Sequence, residues 1–319
     1  VLPTLQGAFS LVLLDHQQLI GVRDPRGFRP LCLGRLPDAG WILASETPAL
    51  DVTGAEFVRE TDPGEMLVIG PDGPVSHHLW PGLAEPKLCL FEFVYLARPD
   101  SQLYGQELHG ARIRMGEMLA EQAPVDADMV MGVPDSGLPA AEGFAKRSGI
   151  RYGHGLVKNR YIGRTFIVPD QAQRAQGVRR KLNPLRGAIT GQRLVVVDDS
   201  IVRGTTTRAM VKMLREAGAR EVHLRISSPP YRWPCYYGLD TGTRAELIAA
   251  RMDEQEICDY LGADSLAYLS LDRLKKATGA PDAGFCDACL TGDYPKDVPV
   301  PLLSESSDRL EAPVGLRVG

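Results

Sequence analysis

Val195-Val-Val-Asp-Asp-Ser-Ile-Val-Arg-Gly-Thr-Thr206 joins a buried strand, two adjacent carboxylates and a small, hydroxyl-rich turn in one short segment. Leu194 to Val197 is a continuous β-branched apolar run, which suits a parallel strand covered on both faces. Asp198 and Asp199 fall where that strand ends, and open α/β sheets collect ligands outside the carboxyl ends of their strands. Gly204 permits a close backbone approach, and Thr205 or Thr206 is placed to cap the following helix, whose inner face carries Met210, Val211, Leu214 and Ala217. Gly218 ends it. A helix start with free N–H groups and nearby hydroxyls suits a phosphate, while the carboxylates upstream suit ribose hydroxyls. An isolated Asp-Asp pair is as readily a solvated strand end; the whole run is far more specific.

The segment resembles the phosphoribosyl-pyrophosphate (PRPP) signature of phosphoribosyltransferases. Other stretches narrow the likeness: Cys89-Leu-Phe-Glu-Phe-Val-Tyr-Leu-Ala-Arg-Pro-Asp-Ser101, Gly132-Val-Pro-Asp-Ser-Gly137, Lys158-Asn-Arg-Tyr-Ile-Gly-Arg-Thr-Phe166, Val178-Arg-Arg-Lys-Leu-Asn-Pro184 and Pro234-Cys-Tyr-Tyr-Gly-Leu-Asp-Thr241. Together, and in this order from about Gly7 to about Tyr294, they resemble the glutamine PRPP amidotransferase family. The fold implied is α/β: a phosphoribosyltransferase-type parallel sheet flanked by helices, preceded by the antiparallel remainder of an N-terminal-nucleophile glutaminase domain. Expected divisions are 1–85 for the partial glutaminase, 86–270 for the transferase and 271–319 for a C-terminal segment whose tail after Leu303 looks disordered.

For the transferase, the resemblance implies a ribose-phosphate site of Asp198, Asp199, Ser200, Val202, Arg203, Gly204, Thr205 and Thr206. It implies a pyrophosphate loop of Pro134, Asp135, Ser136 and Gly137, which composition alone would allow as a plain turn. Ser136, Asp198 and Asp199 match magnesium-associated positions; magnesium prefers oxygen ligands. The segment from Arg160 to Lys181 resembles a flexible loop that closes over PRPP, with Arg179 and Lys181 as catalytic contacts. The reaction implied is displacement of pyrophosphate from C1 of PRPP by glutamine-derived ammonia, giving 5-phosphoribosylamine at the entry to purine synthesis. Purine nucleotides are the implied feedback inhibitors and a homotetramer the implied assembly.

Before Gly7 there is no leading cysteine and no early glutamine-binding segment, and residue 1 is Val1. The chain therefore resembles an N-terminally shortened form, expected to use ammonia and not glutamine. Gly7–Leu14, Leu19–Val22, Pro30–Gly34, Trp41–Ala44 and Met66–Ile69 read as its strands, and Cys32 and Cys258 as core residues. Farther on, Tyr104 to Gln122 reads as an amphipathic helix through Leu108, Ala111, Met115 and Leu119, and Met129 to Val133 as a strand.

Cys286-Asp-Ala-Cys289 has metal-type spacing, and with Cys89 and Cys235 makes four candidate ligands. Residue type alone leaves tetrahedral zinc, an iron–sulfur centre or chance placement open. The resemblance implies a [4Fe-4S] cluster on Cys89, Cys235, Cys286 and Cys289.

The chain has 319 residues, 44% hydrophobic and 24% charged, with net charge −4, ordinary globular composition that argues against a general nucleic-acid binder. Arg174, Arg179, Arg180, Lys181 and Arg186 concentrate positive charge locally. No apolar run is long enough to cross a bilayer, and six cysteines do not make a disulfide scaffold; a cytoplasmic protein is expected. Two rivals share the PRPP signature. A salvage phosphoribosyltransferase needs neither the antiparallel region nor the cluster cysteines, and a PRPP-binding regulator would be expected to carry a basic helix-turn-helix.

Overall fold

Short β-branched runs bounded by Gly, Pro and Asp build the strands in both parts of the chain. The computed structural model describes residues 1–38, 40–82, 85–159, 182–241 and 243–295. The chain divides into two units. Unit 1 takes Val1–His109, Cys235–Gly242 and the chain from Ala280, and unit 2 takes Gly110–Pro234 and Thr243–Gly279.

Unit 1 contains two antiparallel sheets. One orders β1 (Ser10–Leu14), β2 (Leu19–Arg23), β6 (Glu65–Gly70) and β7 (Gly73–His78) as β1-β2-β6-β7, and the other orders β3 (Cys32–Arg35), β4 (Trp41–Ala44) and β5 (Glu56–Glu60) as β4-β3-β5. The strands β5 and β7, polar and charged in sequence, were not among those expected. As a sheet edge, β1 leaves Val12, Leu13 and Leu14 exposed instead of alternating. Between β2 and β3 the chain is tied by buried charges. Arg23 donates to the carbonyls of Arg29, Thr61 and Gly27 at 2.9, 2.6 and 3.0 Å, and the Asp24 carboxylate accepts from the amides of Phe9, Arg26 and Phe28. Unit 1 also includes residues 86–109, which the sequence reading placed with the transferase. Within this stretch Leu88–Cys89 forms a parallel bridge with Phe285–Cys286, a long-range pairing inside unit 1.

In unit 2, four parallel strands, β8 (Met129–Gly132), β9 (Arg193–Asp198), β10 (Glu221–Ile226) and β11 (Ser265–Tyr268), lie in the order β8-β9-β10-β11. Met131, Leu194, Val196, Leu224 and Ile226 of these strands join Met210, Val211, Leu214, Ile257 and Cys258 in one buried core. Among the described residues the longer helices of this unit are α1 (Leu108–Gln122, which begins at the boundary), α2 (Leu138–Ser148), α3 (Thr205–Glu216), α4 (Glu254–Leu261) and α5 (Leu271–Thr278). Asp253 caps α4 in a capping box with Glu256, satisfying two orphan N–H groups reciprocally.

The expected helix from Tyr104 starts only at Leu108, with its inner face of Leu108, Ala111, Met115 and Leu119 fully buried. Tyr104 (φ 50°) and Gly105 (φ 69°) instead form the turn of a small hairpin, Gln102–Leu103 with Gln106–Glu107. Two consecutive positive φ values are incompatible with helix but match the twist of a tight hairpin.

Candidate active site

Strand register places the two predicted turns side by side. Gly132 of β8 pairs with Val197 of β9, so Val133–Gly137 and Asp198–Gly204 leave adjacent parallel strands at their carboxyl ends. The Val133 amide donates to the Val197 carbonyl at 2.9 Å, and the Gly137 amide back to Val133 at 2.9 Å. The Pro134–Asp135 peptide is cis. Ser136 donates its hydroxyl to the Asp199 carboxylate across the turns, and Ser200 donates to Asp199 from within its own turn.

Asp199 is buried, and Asp198 accepts the Asp199 amide at 3.0 Å. Burial, together with the neighbouring Asp199 charge, holds the Asp198 carboxyl well above the usual carboxylate range. Burial raises Asp199 too, opposed by the hydrogen bonds from Ser136 and Ser200 and by the charge of Arg112. A cation or a set of hydroxyl donors at this strand end would be favoured by the same two charges.

The phosphate-type turn departs from expectation in one respect. Gly204, at φ +75°, occupies the cap position of α3, and no side chain caps this helix. Thr205 and Thr206 are its first helical residues and are exposed. Amides in a first turn have no partner within the helix, so these threonines leave N–H groups and hydroxyls available to an anion.

Not every expected contact faces this pocket of polar groups. Arg203 is bound to Glu246, and Asp135 is ion-paired with Lys158. Arg179 and Lys181, with the rest of 160–181, lie outside the described residues, as does the tail after Leu303. Sequence reading did not single out Arg112 or Glu246, and it quoted Lys158 only as the first residue of a resembled stretch, without a role. For Arg112 a signal existed: it is a charged residue four positions after Leu108, on the buried face of α1, where charge is retained only against a counter-charge. For Glu246 no sequence pattern pointed to Arg203, 43 residues away.

Gly137 is required by space. A Cβ there would stand 2.4 Å from the Val197 carbonyl oxygen and 3.0 Å from the Val133 nitrogen. Gly137→Ala is expected to open the turn, costing about 2–4 kcal/mol of stability in denaturant unfolding.

The four candidate cysteines all belong to unit 1. Cys286 pairs in register with Cys89, and the Tyr237 amide approaches the Cys235 Sγ at 3.4 Å. Burial pushes the thiols of Cys89 and Cys286 up to about 12 and raises that of Cys289 well above its ordinary value, and neighbouring members of the set add to each rise. Among the described residues no group of three or more His, Cys, Asp or Glu side chains is arranged to hold a metal ion. Cys32 and Cys258 are buried as expected. Unit 1 also encloses a cavity of about 470 Å³ lined by Phe9, Arg29, Glu46, Glu92, Ser101 and Tyr237, with Arg29 and Glu92 paired at 2.7 Å.

Residues 110–227 match the phosphoribosyl transferase domain family, and residues 1–52 match the glutamine amidotransferase domain family. The chain is 53% identical over 304 residues to an amidophosphoribosyltransferase of Mycobacterium tuberculosis, covering 94% of this chain and 57% of the relative. It is also 53% identical to that of a Synechocystis species, covering 92% of this chain and 59% of the relative. Among solved structures, a Bacillus subtilis glutamine PRPP amidotransferase complexed with ADP and GMP is 49% identical, with TM-score 0.85 over 92% of this chain and 65% of that one. The chain thus spans little more than half the length of these curated relatives. The fold is α/β of the phosphoribosyltransferase type in its parallel sheet, preceded by antiparallel sheets. Among the described residues no helix is long and apolar enough to cross a membrane.

Proposed function

We infer that this chain belongs to the amidophosphoribosyltransferases and forms 5-phosphoribosylamine and pyrophosphate from PRPP and ammonia. The observation that carries this reading is the pair of strand-end turns joined by Ser136 and Asp199 beside an uncapped helix start. Asp198 and Asp199 would accept hydrogen bonds from the ribose hydroxyls. The first-turn amides and hydroxyls of Thr205 and Thr206 would hold the 5′-phosphate, and the turn Pro134–Gly137 would face the pyrophosphate. Ammonia forms the new bond to C1 as the bond from C1 to pyrophosphate oxygen breaks, and the proton shed by nitrogen passes to solvent. The protein's part is orientation and charge, with no covalent intermediate. Arg179 and Lys181 enter this reading as cations against the leaving group.

Oxygen donors on Ser136, Asp198 and Asp199 suit Mg²⁺, which would neutralise charge on the pyrophosphate. Four thiols in one unit suit a soft centre, and Cys89, Cys235, Cys286 and Cys289 are the residues that would hold a [4Fe-4S] cluster. Its role would be structural. Supply of ammonia from glutamine and feedback by purine nucleotides belong to the same reading, supported by the similarity of residues 1–52 to glutamine amidotransferases and by the nucleotide-bound relative; a tetramer and a cytoplasmic setting are proposed with it. The antiparallel unit sets the chain apart from a salvage phosphoribosyltransferase.

Phosphoribosylamine formation, assayed with PRPP and Mg²⁺ and with ammonia or glutamine supplied separately, tests the reading. Activity with ammonia that requires Mg²⁺ is expected. A folded protein that neither binds PRPP nor releases pyrophosphate with either donor would overturn it.

A further inference from the structure

Three consecutive residues of the phosphate-type turn are held from outside by one short segment. The Val202 carbonyl accepts the Ile248 amide at 3.0 Å. Arg203 Nε donates to Glu246 Oε2 at 2.6 Å, and its Nη2 lies 2.5 Å from the same oxygen. At Gly204, the space a Cβ would take is occupied by Ile248, whose Cδ1 would stand 2.8 Å away. Residues 244–250 form two successive 3₁₀ turns, with Leu247 and Ile248 almost fully buried between them. The segment is therefore anchored by its apolar residues and presents Glu246 as a fixed carboxylate.

We propose that Glu246 is a positioning residue for the 5′-phosphate turn: it draws the Arg203 guanidinium aside and sets the backbone of Val202–Gly204, so that the first-turn amides of α3 meet the phosphate. This rests on reading that turn as the PRPP site. An exposed ion pair adds little to folding stability, and this one has side chains 38% and 49% exposed. What it fixes is direction, because a guanidinium bound through two nitrogens has a defined orientation.

The test is a double-mutant cycle in this chain with Glu246→Gln, Arg203→Gln and the pair combined, read by calorimetric titration with PRPP and Mg²⁺ and by ammonia-dependent turnover. Each single variant is expected to raise the KM for PRPP about tenfold with kcat within about twofold of wild type, and the double variant to be no worse than either. Thermal midpoints should be unchanged. Additive losses, an unchanged KM, or tighter PRPP binding by Glu246→Gln would overturn the proposal, the last by showing that a released Arg203 serves the phosphate directly. Failure of the wild-type chain to bind PRPP would instead refute the reading of the site, a result that the first titration separates from the others.

Discussion

Asp198→Asn is expected to lower ammonia-dependent turnover by about a thousandfold and, in magnesium-free buffer, to raise the thermal midpoint by about 2–4 °C. The two effects have one cause. Adjacent carboxylates at the end of β9 can ionise only against burial and against each other, and both pKa directions are upward. A carboxyl whose folded pKa lies above its unfolded value contributes stability only while protonated. That contribution is complete below the unfolded pKa and is lost as pH rises through the folded one. Removing the Asp198 charge should therefore stabilise the protein at pH values above its raised folded pKa. The gain should shrink in acid, where the wild-type pair is already neutral. Differential scanning calorimetry across pH, with turnover measured in parallel, checks both. A variant that loses activity without gaining stability would mean that the charges are already balanced within the protein. Asp199 is the wrong choice for this experiment, because it accepts from the Ser136 and Ser200 hydroxyls and its change would disturb the turn as well as the charge.

Gly116→Ala is expected to destabilise unit 2 by about 3 kcal/mol or more, although alanine is the better helix former by about 1 kcal/mol. The sign is decided by contact. A Cβ at Gly116 of α1 would stand 1.8 Å from the Ala140 carbonyl oxygen of α2, and one at Gly143 of α2 would stand 2.0 Å from the Ile113 carbonyl oxygen of α1. The two helices thus meet backbone to backbone through a reciprocal pair of glycines, and neither obstruction is a flexible side-chain end. Because α2 begins immediately after Gly137, separating the helices would also shift the pyrophosphate-type turn. Urea unfolding of Gly116→Ala and Gly143→Ala is the measurement. A change within 0.5 kcal/mol of wild type, roughly the ordinary surface range, would show that the crossing yields without strain.

What could be read from the sequence follows a physical division. The parallel strands were legible because burial on both faces leaves an unbroken apolar run, as in Leu194–Val197. The acidic strand end and the glycine-threonine turn were legible because a phosphate site needs small residues in a fixed order. Strands β5 and β7 were not, because Glu56–Glu60 and Gly73–His78 carry the polar residues of exposed sheet faces and lack an apolar signature. The start of α1 was misplaced because Tyr104-Gly105 can continue a hydrophobic pattern while its backbone turns the chain. Glu246 and Lys158 were hidden for a different reason: their partners are distant in sequence, and only the folded chain brings them together. The Gly116 and Gly143 contact was equally silent, since a missing side chain leaves no periodicity.

The order in which these pieces are joined also has a consequence in time. Unit 1 starts the chain, yet it also takes residues 235–242 and the stretch from Ala280, including the Phe285–Cys286 bridge to Leu88–Cys89. A ribosome that has released residues through Gly279 has delivered every part of unit 2, while the first-made unit still waits for its last strand. Unit 1 is therefore entered before unit 2 and completed after it, so Cys89 leaves the ribosome nearly two hundred residues ahead of Cys286, with which it pairs in register.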